Sequence, residues 1–134
     1  MSTRCCVQVK QTFGEEQDSD KEVRSVMIYH HWDGYPSGVG YDLWQRLRKY
    51  KGNWDIDEVV NGLLKDPNDS YEYTAFNHTD IDYLYVIDCS AKTLKCYECE
   101  WVFQTDEGKL VDESRIIKEV KLNFKKEAKN DRTV

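Results

Sequence analysis

Polar and apolar positions alternate from Arg4 to Lys10, with Cys5, Val7 and Val9 on one side and Arg4, Gln8 and Lys10 on the other. That period of two predicts a strand. Glu22 to His31 alternates as well: Val26, Ile28 and His30 share one face, and Val23, Met27, Tyr29 and His31 the other. The polar stretch between the two runs makes them an antiparallel hairpin with a long connection. The period then changes. Leu43, Leu47 and Tyr50 recur at helical spacing, and Gly52 and Asn53 end that run. Asp55 and Glu58 form a start like a capping box, and Ile56, Val59, Val60, Leu63 and Leu64 follow at i, i+3, i+4, i+7 and i+8. This is the clearest helical pattern in the chain, and Pro67 stops it.

Beyond it, 68–79 is polar with scattered aromatics and reads as an ordered loop or a short edge strand. Asp82 to Cys89 and Thr93 to Phe103 read as two strands of an antiparallel hairpin. Ser114 to Phe124 fits either period, and its wealth of Lys and Glu tips it towards a helix. The expected fold class is therefore α+β. A single domain over 1–124 carries an antiparallel sheet of four to five strands against two or three helices, followed by a flexible tail at 125–134. Helices are expected near 41–50 and 55–65.

At 134 residues the chain is long enough to bury a core without staples, and its 13% aromatic content belongs to a folded protein. Cys5, Cys6, Cys89, Cys96 and Cys99 are an odd count, and Met1 to Cys6 has no apolar leader region. Both point to a reduced, cytoplasmic setting. Cys96 and Cys99 have Cys-x-x-Cys spacing, yet on a regular strand they face opposite sides. No metal and no cofactor is expected.

Net charge is −6 and the sequence pI is near 5.1. That balance opposes general affinity for nucleic-acid backbones or anionic membranes. The acid is clustered at Glu15, Glu16, Asp18 and Asp20, and again at Asp66, Asp69, Glu72, Asp80 and Asp82. Such clusters serve as solvated loops or as a face for a basic partner protein.

The segment His30-His-Trp-Asp-Gly-Tyr-Pro-Ser-Gly-Val-Gly40 joins the second strand to the first helix. It offers two chemistries. Backbone N–H groups near Gly34, Gly38 and Gly40, with His31, Asp33, Tyr35, Ser37 and a cation such as Arg4, form a candidate phosphate or nucleotide site. His31 and Asp33, two positions apart, form a candidate general-base pair for hydrolysis. His78 lies beside Asp80 and Asp82 as a further possible ligand group. Trp32, Tyr35, Tyr41 and Trp44 surround the turn and offer stacking faces, with Arg4, Arg24, Arg46 and Arg48 as cations. The same glycines also serve a tight corner. The dinucleotide and P-loop patterns are both missing their required residues.

Thr3-Arg4, followed by a strand and then His31 (or His30) through Gly40, resembles a group of small bacterial and bacteriophage proteins with the same layout. The resemblance covers residues 1–50. It implies a prokaryotic, cytoplasmic protein of mobile-element type, and it implies no activity. The leading expectation is a non-enzymatic acidic protein that engages and inhibits a host defence protein with a basic surface, without direct nucleic-acid binding, either alone or as a homo-oligomer.

Overall fold

The computed structural model describes residues 3–14, 21–51, 54–66, 71–74, 81–106 and 109–122, with 101–106 and 109–115 described as backbone. Glu15, Glu16, Asp18, Asp20, Asp69, His78, Asp80 and the tail at 125–134 lie outside the described residues.

The hairpin expected at the start of the chain is β1 (Cys5–Phe13) paired antiparallel with β2 (Glu22–His30). Next come α1 (Tyr41–Arg48) and α2 (Ile56–Leu64), each within two residues of the predicted ends. The short edge strand is β3 (Tyr71–Thr74), paired with β2. β4 (Tyr83–Asp88) and β5 (Thr93–Asp106) form the second hairpin.

Two expectations are corrected. Residues 109–120 form a strand, β6 (Lys109–Val120), paired with β5, where Ser114 to Phe124 was expected to be helical. Ile116 and Ile117 are both half exposed. Cross-strand hydrogen bonding to β5 outweighs the helix propensity of Lys and Glu, which suit a charged sheet edge equally well. The sheet also has six strands, not four or five, and it is mixed. Its order is β3-β2-β1-β4-β5-β6, and β1 runs parallel to β4. The chain lays β3 on the far edge and then crosses two strands to reach the open side of β1.

β1 is therefore interior, and its start at Cys5 and Cys6 is buried on both faces. Cys5, Val7 and Val9 join Ile28, Tyr85, Ile87 and Cys96 under Leu43, Leu47, Val59 and Leu63 of the helices. On the reverse face Cys6 packs with Tyr29, Ile81, Leu84 and Cys99. Burying each aliphatic side chain contributes roughly 1.5–3 kcal/mol. Asp55 caps α2 by accepting the Asp57 N–H at 2.9 Å, and Gln11 of β1 accepts the Ile56 N–H at 3.0 Å. The second helix is thereby hung from the central strand.

All five thiols are free and buried, and Cys96 and Cys99 face opposite cores as their spacing required. Burial pushes the Cys89 thiol from its ordinary 9.0 up to about 11, and Cys99 likewise. A raised acid pKa keeps the folded thiol neutral while the unfolded one ionises. The stabilising difference is whole below pH 9 and is lost as pH climbs through 11. The unfolding free energy from urea titrations should fall across pH 9 to 11 by about 1–3 kcal/mol per such thiol, and Cys89→Ala should flatten that slope. An unchanged slope in the variant would refute the assignment.

Candidate functional site

The turn after β2 is a rigid corner built from its own backbone. Asp33 sits at φ 53°, a left-handed conformation that Asp tolerates better than most residues. Its carbonyl accepts the Val39 N–H at 2.8 Å, and the Gly38 N–H reaches the Tyr35 carbonyl at 2.8 Å. The Gly34 N–H is bound by the Thr3 carbonyl at 2.9 Å, and the buried Tyr85 hydroxyl donates to the Gly34 carbonyl at 2.7 Å. Pro36–Gly40 forms one π-type turn, closed by the Tyr41 N–H on the Pro36 carbonyl. Such turns are rare and cluster at functional sites.

These bonds decide the phosphate cradle. The amides of Gly34, Gly38, Val39 and Tyr41 all point into the corner, so they are not presented to an anion. Arg4 is exposed just before β1, and its carbonyl accepts from the Asp82 and Tyr83 N–H groups at the start of β4. Ser37 is exposed, and Gly40 is buried. Tyr35 is exposed and donates to Asp33 at 3.2 Å. That hydrogen bond raises the Tyr35 phenol above its ordinary value, so Tyr35 stays a neutral donor.

His31 and Asp33 do not form the expected pair. His31 Nε2 lies 3.2 Å from Glu72 on β3, and its ring stands edge-on to Tyr29 at 4.6 Å. The other histidine is the one on Asp33's side. His30 is 4% exposed and lies opposite Tyr71 in the β2–β3 register, with ring centroids 4.6 Å apart. Alternation along β2 settles the difference, because His30 shares the helix-covered face with Ile28.

Around His30 the structure gathers Trp32, Asp33, Gly38, Val39, Asp42, Arg46, Asp66 and Tyr71 into a cleft of about 240 Å³. Asp42 and Arg46, one turn apart on α1, are bonded at 2.9 Å. Arg46 also donates to Asp66 at 2.5 Å and to the Gly62 carbonyl at 3.3 Å. Tyr71 donates to Asp42 at 2.6 Å, with Arg46 5.2 Å from its ring centroid. Burial first, and the Asp42 bond second, hold the Tyr71 phenol far above its ordinary value. It acts as a fixed donor.

No protein family, no curated protein and no solved structure matches the chain. The cleft therefore has to be read from its own chemistry. Arg46 is saturated by two carboxylates and a carbonyl, so it is poorly placed to receive an incoming anion. Three carboxylates against one guanidinium leave the described lining at a formal −2. Trp32 is 44% exposed at its edge and stands 5.4 Å from the His30 ring. An acidic cleft with a part-exposed indole fits a cation.

Of the acidic partner-binding candidates, three are described and occupied. Asp66 is held by Arg46 with its side chain 9% exposed, which removes it from any solvated face. Glu72 meets His31, and Asp82 accepts the Arg4 N–H at 3.2 Å. Sequence reading missed Asp42, Tyr71 and Arg46 as members of one cluster. The i, i+4 spacing of Asp42 and Arg46 was the available signal.

No group of three or more metal-binding side chains occurs among the described residues. No helix among them is long and apolar enough to cross a membrane.

Proposed function

We propose that the chain is a non-enzymatic binding protein whose acidic, aromatic cleft receives a basic side chain of a partner protein. The observation that carries this reading is the cleft itself: net-negative lining, a saturated arginine, and the part-exposed indole of Trp32. An incoming Arg or Lys would meet Asp33 at the rim and stack on the indole. The net charge of −6 would steer a basic partner towards it. With the mobile-element setting implied by the resemblance, the partner is a host protein, and inhibition of a defence complex is the role this chemistry best suits.

Titration calorimetry with an arginine-containing basic peptide is the direct test. Binding should be salt-sensitive, and Trp32→Ala and Asp33→Asn should each weaken it about tenfold. Neither change touches the Arg46 network, so folding should survive. Absence of binding at low salt, together with recovery of no basic protein from host lysate, would sink the proposal.

A further inference from the structure

The opposite flank of α1 carries the reverse chemistry. Asp42 and Arg46 face the cleft, whereas Trp44 and Arg48 open on a second groove of about 410 Å³. Lys51, Trp54, Lys92 and Leu94 complete most of its wall. Its described lining holds three cations and no carboxylate, on a chain of net charge −6. The Arg48 guanidinium lies over the Trp44 ring, 4.6 Å from its centroid, so the cation is stacked on one face of that indole. Trp54 is half-buried at the edge of the core and supplies a second indole.

Backbone conformation singles out the same groove. Only three non-glycine residues among those described have positive φ: Asp33, Lys51 at 51° and Lys92 at 58°. Lys51 lies just past α1, where Gly or Asn is the usual left-handed residue. Lys92 lies in the β4–β5 turn, at a position that likewise favours Gly or Asn. Two lysines thus occupy positions where glycine is easier, and both line one groove. Arg48 and Lys51 also complement the dipole at the end of α1. That account does not reach Lys92, which arrives from a separate hairpin, nor the two indoles.

We infer that this groove binds a nucleotide unit, with the base stacked against the Arg48 guanidinium that lies over Trp44, or on Trp54, and the phosphate held by Lys51 and Lys92. Stacking on indole and guanidinium planes accepts any base, and the lysines supply point charges for phosphate. The volume lies in the range of small-ligand sites. The groove and the cleft lie on different flanks of α1, so this reading stands apart from the protein-partner proposal.

Quenching of tryptophan fluorescence in the full chain tests it, with AMP, ATP and an oligothymidylate as probes. Adenosine and inorganic phosphate serve as ring-only and charge-only controls. Saturable, salt-weakened quenching by the nucleotides is expected, with each control about tenfold weaker. Tighter binding of the oligothymidylate than of AMP identifies single strands as the source, and equal binding identifies free nucleotides. Lys92→Gly relieves the left-handed backbone, so its melting temperature should hold or rise while nucleotide affinity falls about tenfold. Lys51→Gly should behave alike. If no nucleotide quenches at low salt, or if Lys92→Gly binds as tightly as the parent, the inference is overturned.

Discussion

Gly38→Ala is expected to cost about 3 kcal/mol of stability, read as a lower urea midpoint with little change in slope. A Cβ there would stand 2.3 Å from the Asp33 carbonyl oxygen and 3.1 Å from the Asp33 Cβ. Neither neighbour is the loose end of a long side chain. Asp33 is already left-handed, and its carbonyl holds the Val39 N–H. Moving it draws buried Val39 off the core. Gly34→Ala meets backbone too, at 2.9 Å from the Thr3 carbonyl oxygen, and should cost about 1–3 kcal/mol. Ser37→Ala, exposed between them, is the control and should be close to neutral. Should Gly38→Ala melt with the parent, the corner is not the rigid element described above.

Arg46→Met is the second large effect, expected at about 3 kcal/mol. One guanidinium joins α1 at Asp42, the end of α2 at the Gly62 carbonyl and the following loop at Asp66. Methionine preserves much of the stem but leaves the Asp66 carboxylate, 9% exposed, without its cation. The value sits at the low end for a buried pair, because Arg46 and Asp42 keep side-chain exposures of 28% and 45%. A double-mutant cycle with Asp66→Asn should recover much of the loss, since the stranded charge is then gone. Strict additivity of the two changes would mean the pair is not coupled.

The helices and the two hairpins were legible because each carries a local period or a capping residue, whereas 68–79 carried neither and stayed open between a loop and the edge strand found at Tyr71. Asp55 and the Ile56–Leu64 stripe needed no tertiary information. The parallel pairing of β1 with β4 had no such mark, because it is decided by which side of β1 the returning chain finds open. β6 was misread because Lys and Glu suit an exposed helix and an exposed sheet edge alike. Within the candidate site, the alternation of β2 already placed His30 and His31 on opposite faces, without showing which of the two faces the helices cover. The pairing of His31 with Asp33 rested on counting two positions past the end of a strand, where alternation no longer holds. Arg46 was visible as a cation near the turn. Its saturation was not, because Asp66 arrives from beyond the second helix.

The interior strand has a consequence for synthesis. β1 precedes every strand it pairs with, and β2 is the next to emerge and covers one of its edges. Its other neighbour begins with Tyr83, paired to Cys5 across more than half of the chain. Until that segment emerges, β1 offers an uncovered hydrogen-bonding edge and a bare apolar reverse side at Cys6. A nascent product halted after α2 would therefore be prone to self-association, and productive folding has to wait for β4.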